Sequence, residues 1–140
     1  MSLQAIEQYL TEQLPNVTNL DSFGYRFFFY GPDQVLPFVT IALSDNEHDN
    51  KSNLSREGVF RVNIGISKAS YNQLFTATQN DWDYTALNRF MPHPDYAAQH
   101  YICILNPEED LLPGTIKFIE EAYLIAKNRF DKKQSARKAG

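Results

Sequence analysis

The residues best placed for chemistry lie in the segment Met91-Pro-His93-Pro-Asp95-Tyr96. Because proline fixes its own backbone, the two prolines that flank the histidine hold the imidazole in one direction. Asp95 and Tyr96 are close enough in sequence to tune or share a proton on that ring. A general acid or base needs such preorganisation and a partner for the proton. The alternative, which we favour, is a rigid corner whose histidine caps a backbone carbonyl while Met91 and Tyr96 pack.

A second candidate is one face of a predicted sheet. Arg26, Arg61 and Asn63 stand at strand positions that alternate with apolar residues, so we expect them to share a face. Aromatic side chains interleaved with arginine on a sheet can stack nucleic-acid bases. Arg56 and Lys68 would add positive charge to such a surface. A helix that covers the second face would explain the same aromatics without any ligand, and we favour this covered face.

Other sites of known chemistry are not indicated. The polar residues 44–57 concentrate oxygen ligands, but an EF-hand loop beginning at residue 45 needs Gly and Glu where this chain has Asn50 and Arg56. We therefore expect a mobile surface loop there. The single cysteine, Cys103, excludes an internal disulfide and a cysteine-based zinc cluster. We find no nucleophile elbow, glycine-rich phosphate loop or paired-histidine metal spacing, so we predict no metal and no cofactor.

Charge divides the chain into an acidic body and a basic end. Residues 127–140 carry six basic residues and one acid, a net charge of +5. Residues 1–126 carry seven basic residues and 16 acids, a net charge of −9. Such a body repels a phosphate backbone unless its cations cluster, so nucleic acid is a disfavoured partner. We expect one domain over residues 1–130 and a basic, disordered tail over residues 131–140.

The hydropathy pattern bears on location. No apolar stretch approaches the ~20 residues of a membrane span. The N-terminus lacks the basic-then-apolar pattern of a signal peptide. We therefore predict a cytoplasmic protein with no membrane partner.

Aromatic and β-branched runs broken by Gly, Pro, Asp and Asn are typical of strands, and apolar residues at helical spacing flank them at both ends. The pattern predicts an α+β fold in which one antiparallel sheet of four to six strands has the first and last helices packed on one face. We predict strands over residues 17–23, 25–30, 37–43, 59–66 and 100–105. Helices are predicted over residues 3–14, over residues 68–77, and from residue 113 or 115 onward, with a helical turn or two within residues 81–91.

The order of these elements and several short motifs resemble the small MmcQ/YjbR-like bacterial proteins. The motifs are Leu14-Pro15, Phe60-Arg-Val-Asn63-Ile-Gly, Met91-Pro-His93-Pro and Glu121-Ala-Tyr123-Leu. The likeness covers about residues 2–129 and is greater for an uncharacterised branch with Phe-Arg-Leu/Val-Asn-Ile-Gly and Met-Pro-His-Pro signatures. The resemblance implies a "double-wing" sheet flanked by helices and, by fold analogy, DNA binding. It carries over no catalytic residues.

Three functions stay open, and we expect a non-enzymatic binding or regulatory domain. The first is a nucleic-acid-associated module that uses Arg26, Arg56, Arg61, Lys68 and the tail. The second is a small-molecule site, or an enzyme, around His93, Asp95, Tyr96 and Asn63. The third is an interaction surface, for instance in a homodimer, built on the aromatics Trp82, Tyr84 and Phe90. The sequence ranks the first two nearly level.

Overall fold

The computed structural model describes residues 2–76 and 81–139 and confirms the predicted α+β class. Within these residues six antiparallel strands form one sheet, with helices near the N- and C-terminal ends of the chain. The strands are β1 (Val17–Ser22), β2 (Tyr25–Tyr30), β3 (Val39–Ala42), β4 (Arg61–Gly65), β5 (Met91–Pro92) and β6 (Tyr101–Leu105). The α-helices are α1 (Ser2–Gln8), which continues into a π-helical turn (Tyr9–Gln13), α2 (Lys68–Leu74) and α3 (Leu112–Ala139).

Strand order across the sheet is β1-β2-β3-β4-β6-β5. The β1–β2 hairpin closes through Phe23 and Gly24, whose φ angles of 53° and 82° are both positive, as two-residue hairpin turns that match strand twist require. Glycine adopts a positive φ at no steric cost. Phe23 also adopts it, and its side chain is 90% exposed at the tip of the hairpin. The β5 strand is only two residues long and pairs Met91 with Cys103 at the far edge.

The larger hydrophobic core lies between the sheet and the terminal helices. Ile6 and Leu10 from the first helical segment pack with Ile119 and Tyr123 from α3, and all four are buried. Alternate strand residues such as Phe28, Val39, Ile41, Val62, Ile64, Ile102 and Ile104 project from the sheet into this core. Because side chains alternate across a strand, their neighbours in sequence must face the other side. The expectation that the first and last helices share one face is met.

The other face of the sheet is covered by loops. A second apolar cluster of Ala42, Leu54, Met91, Cys103 and Leu105 lies there, with Tyr25, Val59, Trp82 and Tyr84 packed around it. Leu54 comes from the polar residues 44–57, and Trp82 and Tyr84 come from the segment before β5. We call this side the loop face and the other the helix face. These loops also cover the polar side chains of β3, β4 and β6 that face away from the helices.

Two predictions about the sheet face and the segment after α2 are wrong. Arg26 does not share a face with Arg61, because Arg26 pairs in register with Ile41 of the helix-face core and forms an ion pair with Glu7 of α1. Residues 81–91 form turns and then enter β5, with no helix. Pro92 fits a strand here because β5 is at the sheet edge, where a missing N–H costs no ladder bond. The predicted end of α2 at residue 77 lies outside the described residues.

The C-terminal helix continues beyond the predicted domain boundary. It extends to Ala139, so residues 131–139 are helical where we expected a disordered tail. Ala, Gln, Lys and Arg are good helix formers, which lets a helix continue without a core to pack against. The side chains of Asp131, Lys132, Lys133 and Arg137 are exposed. The division of the chain at residue 130 stays a prediction.

Candidate functional site

A cavity of about 560 Å³ opens on the loop face of the sheet. All four residues of the predicted ligand pocket, His93, Asp95, Tyr96 and Asn63, line it. Aromatic rings form much of its wall, and polar groups of β3 and β4 form its floor. We call it the Arg61 cavity, after the arginine at its floor. The rings are those of Tyr25, Phe27, Tyr96 and Tyr101.

Arg61 is fully buried, with an exposed fraction of 0%, and is held by hydrogen bonds on every nitrogen of its guanidinium. Its Nε donates to Oδ1 of Asn63 at 2.9 Å. Its two terminal nitrogens donate to the two carboxylate oxygens of Asp49, at 3.0 and 2.5 Å, in a bidentate pair. Nη1 also donates to the hydroxyl of Ser52 at 3.0 Å. A buried guanidinium needs such partners because an unpaired charge in this environment is costly.

Asp49 anchors the residues 44–57 loop to the sheet. Its Oδ2 also accepts from the Tyr25 hydroxyl at 2.5 Å, and Asn46 donates to that hydroxyl at 3.1 Å. Burial alone would raise the pKa of Asp49, but hydrogen bonds and the positive charge of Arg61 outweigh it and lower the pKa from its ordinary value. Burial and the bond to Asp49 raise the pKa of Tyr25 to about 12. Asp49 is therefore ionised near neutral pH, and the Tyr25 hydroxyl keeps its proton and donates a hydrogen bond to Asp49.

His93 is held as a neutral imidazole. Its Nδ1 accepts from the backbone N–H groups of Asp95 and Tyr96, each at 3.0 Å. Burial, and then the charge of Arg61, lower its pKa to about 4. With Nδ1 occupied as an acceptor, the ring proton belongs on Nε2. The two prolines hold the ring as predicted, but the ring accepts from backbone N–H groups, so the expected cap on a carbonyl is wrong.

The Nε2–H of His93 is the group of the ring that is free to hydrogen-bond with a ligand. No hydrogen bond to Nε2 is found among the described residues. Yet no buried side-chain nitrogen or oxygen atom among those residues lacks a partner. Nε2 must therefore be in contact with solvent, although His93 as a whole is only 5% exposed. The Arg61 cavity is the open space that His93 lines.

The four cations of the predicted nucleic-acid surface do not form one surface, although Arg56 and Arg61 both donate to Ser52. Arg26 is on the helix face with Glu7, and Arg61 is buried on the loop face. Arg56 donates to the backbone oxygens of Ser52, Asn53 and Thr85 and so ties the residues 44–57 loop to the segment before β5. Lys68 is exposed at the start of α2.

The aromatics nominated for an interaction surface are partly packed inside the molecule. Phe90 contacts Phe118 of α3 edge to face, with ring centroids 5.3 Å apart. The Trp82 ring packs against Phe75 and lies under the guanidinium of Arg89, 4.8 Å from the ring centroid. Tyr84 packs against the loop-face cluster. All three rings are half-buried.

Several residues of the cavity were missed by the sequence analysis, chiefly Asp49, Thr40 and Tyr101. The residues 44–57 loop was predicted to be a mobile connection, whereas it supplies the counter-ion of a buried arginine. One signal pointed to it. An arginine inside the apolar run of residues 59–66 needs an anion if its face is covered, and the nearest carboxylates in sequence are in that loop.

Two further observations concern metal binding and membrane spans. Among residues 2–76 and 81–139, no three His, Cys, Asp or Glu side chains are grouped so that they could hold a metal ion. The helices in the same part of the chain are each too short or too polar to cross a bilayer.

Comparison with known proteins gives one family. Residues 1–135 match the model of a family of unknown function, DUF6194. The chain belongs to this family. No curated protein and no solved structure matches the DUF6194 chain. Nothing in the DUF6194 match links the chain to MmcQ/YjbR-like proteins, so that kinship and the double-wing arrangement stay predictions.

Proposed function

We propose that this domain binds a small organic molecule in the Arg61 cavity and carries out no acid–base chemistry there. The observation that carries the proposal is the combination of a half-enclosed aromatic cavity with a few fixed polar groups at its floor. Ligand pockets in proteins have a volume of roughly 300–1,000 Å³ and this kind of lining. The cavity's volume, about 560 Å³, falls within that range.

Preorganisation of the floor supports binding. Arg61, Asn63 and Thr40 form a chain of hydrogen bonds on neighbouring strands, in which Asn63 Nδ2 donates to Thr40 Oγ1 at 2.8 Å. Side chains held in this way lose little freedom when a ligand arrives, which favours affinity. Sites built on strands are also positioned more accurately than sites built on loops alone.

The state of the titratable groups argues against proton transfer. A general base near neutral pH needs a free lone pair and a pKa close to the working pH. His93 uses its Nδ1 lone pair to accept two N–H groups, and its pKa is lowered to about 4. The Asp49 carboxylate is occupied by Arg61 and Tyr25. These groups are suited to orienting a ligand and poorly suited to moving a proton.

Nucleic-acid association, the other function expected from the sequence, stays a prediction with less support. Its four cations are dispersed, and a buried, paired Arg61 cannot neutralise a phosphate without leaving Asp49 unpaired. A regulatory role and a cytoplasmic location are likewise still predictions.

A fragment screen observed on the protein tests the proposal. We expect members of a library of several hundred fragments to shift backbone amide signals of Thr40, Asn63, His93 and Tyr101 in ¹⁵N–¹H correlation spectra. Arg26→Gln is the matched control, because it removes a strand arginine on the helix face and should leave those shifts unchanged. If no fragment shifts these amides, or the shifts cluster on the helix face, the proposal is wrong.

A further inference from the structure

We infer that the ligand of the Arg61 cavity is an uncharged, planar molecule about two fused rings in size, with hydrogen-bond acceptors at its edges. This inference rests on the proposed function and deepens it. It follows from the hydrogen-bonding groups left unused, from the charge balance of the lining, and from the placement of the rings.

Two of the polar groups that line the cavity, one on β3 and one after β5, keep an unused donor. The Thr40 hydroxyl accepts from Asn63, and no described group accepts its own hydrogen. The Nε2–H of His93 likewise has no partner among the described residues. By contrast, the side-chain oxygens of Asn63 and Asp49 already accept from Arg61. A ligand with acceptors at its edges would satisfy both donors.

The charges around the cavity cancel. Arg61 is the sole lysine or arginine among the described lining residues, and Asp49 neutralises it in a bidentate pair. Asp95 at the rim has Lys51 3.8 Å away. Among the described lining residues an anionic ligand would find no unpaired lysine or arginine, and His48 lies 3.3 Å from Glu47. A cationic ligand would meet the Asp95 carboxylate, which already has Lys51 beside it. Transferring an anionic ligand from water would cost desolvation without a compensating partner, and a cationic ligand would have to compete with Lys51 for the Asp95 carboxylate.

The rings favour a flat ligand. Tyr25 and Phe27 stand next to each other on β2 with ring centroids 5.6 Å apart, and Tyr96 lies beside His93 at 5.0 Å. Aromatic walls of this kind gain most from a planar partner stacked or offset against them. The strand order puts β4 and β6 between Thr40 and the segment that carries His93. At about 4.8 Å per strand the two backbones are on the order of 14 Å apart, which suits two fused rings between the side chains.

A series of probes with one shape and different charges tests this class of ligand. The probes are 2-naphthamide, 2-naphthoate and 2-naphthylmethylammonium, which share one ring system and differ in charge and hydrogen-bonding group. We expect 2-naphthamide to bind roughly tenfold more tightly than either charged analogue, with shifts at Thr40 and His93. Affinities are measured by titration in the same ¹⁵N–¹H spectra.

Two variants remove the unused donors one at a time. Thr40→Val keeps the side-chain shape and deletes the hydroxyl. His93→Asn keeps an oxygen that can accept from the Asp95 and Tyr96 N–H groups, as Nδ1 does, and deletes Nε2–H. Each should weaken 2-naphthamide binding several-fold while the charged analogues change less. Arg26→Gln should change none of the three affinities.

The possible failures are distinguishable. If 2-naphthoate or 2-naphthylmethylammonium binds most tightly at the cavity amides, the ligand class is wrong and the proposed function stands. If both variants fold but bind 2-naphthamide as the unmodified protein does, the donors are not used and the inference is overturned. If no member of the series shifts the cavity amides, the ligand class is also rejected. The fragment screen then decides the proposed function by itself.

Discussion

The Tyr101 ring lies over Gly65 on the neighbouring strand, in the space that a Cβ atom at residue 65 would need. A Cβ built on Gly65 would be 2.7 Å from the ring carbon Cζ of Tyr101. The Tyr101 hydroxyl then donates to the backbone oxygen of Pro37 at 2.6 Å. Because the glycine lets the ring lie flat across β4, Tyr101 connects β6 to the segment before β3 and forms one wall of the Arg61 cavity.

Replacing Gly65 with Ala should therefore displace the Tyr101 ring. We expect loss of the bond to Pro37 and a decrease of about 1–3 kcal/mol in the free energy of unfolding, the usual cost of overpacking. Urea denaturation measures it. Gly114→Ala, in α3, is the control, because a Cβ atom there would be 3.7 Å from a ring carbon of Phe90, which is an ordinary van der Waals distance. That change should stabilise the helix by up to about 1 kcal/mol, and equal effects at both positions would contradict this account.

Removing the charge of Asp49 should destabilise the fold strongly. Asp49→Asn leaves the fully buried guanidinium of Arg61 without its anion, and breaking a buried ion pair from one side costs about 3–5 kcal/mol. Chemical denaturation gives the change. Asp131→Asn serves as the control, because it breaks an exposed pair with Lys127 on α3 and should have no measurable effect. A small effect of Asp49→Asn would mean that water already solvates Arg61.

Acid should destabilise the protein well before its carboxylates are fully protonated. The pKa of His93 is lowered to about 4 in the folded state, whereas an unfolded histidine has a pKa of about 6.5. Between these values the unfolded chain binds more protons, so stability rises with pH and its contribution is complete above about pH 7. From pH 7 to pH 5 the loss from His93 is about 2 kcal/mol. The lowered pKa of Asp49 adds a further loss below about pH 4.

Urea denaturation at pH 7 and pH 5 measures that loss. In His93→Asn the difference between the two pH values should shrink by the contribution of the imidazole. An unchanged difference in this variant would show that other groups, and not His93, account for the acid sensitivity.

The C-terminal segment should be dispensable for the fold. The exposed side chains of residues 131–133 and 135–137 bury little apolar surface, so deletion of residues 131–140 should leave the urea midpoint unchanged. Hydrogen–deuterium exchange should be fast at residues 131–139 and slow around the buried Ile119 and Tyr123. Slow exchange in the basic segment, or a lower urea midpoint after deletion, would show that the domain extends past residue 130.

Nucleic-acid binding is tested by titrating duplex DNA at low and physiological salt. We expect weak binding at low salt that disappears as salt rises, because the cations of the basic end attract phosphate without a built site. Deleting residues 131–140 should remove it, while Arg26→Gln should not. Tight, salt-resistant binding that survives the deletion would support the nucleic-acid module. It would contradict our view that the cations of the folded domain do not form a phosphate-binding site.

The sheet could be predicted because its signal is local. Residues 25–30 and 101–105 contain the β-branched and aromatic residues that strands favour. The observed bounds of β2 and β6 differ from the predicted ones by at most one residue, and those of β3 and β4 by at most two. Met91–Pro92 was missed because a two-residue edge strand depends on its partner in β6 and has no pattern of its own. The face of Arg26 was wrong because alternation within one strand does not fix its phase relative to another. That phase depends on the register, which pairs Arg26 with Ile41.

The sequence indicated the proline-flanked corner of the candidate site and the shared face of Arg61 and Asn63, but not the carboxylate that pairs with Arg61. The proline-flanked His93 is visible in the sequence, since proline acts on its immediate neighbours. The pairing of Arg61 with Asp49 joins residues separated by a 12-residue interval, through a loop with no periodicity. Loop conformation of this kind follows from the buried charge that it must neutralise, which only the assembled sheet reveals.

The polar stretch between β3 and β4 therefore has a role that limits how it can be altered. Since Asp49 and Ser52 reach Arg61 from within it, shortening the stretch or cutting it with a protease would withdraw the counter-ion from the interior. Such damage would spread to Tyr25 and to the mouth of the Arg61 cavity. Insertions into this scaffold are better placed at the tip of the β1–β2 hairpin, where the Phe23 side chain is exposed and Arg61 has no partner.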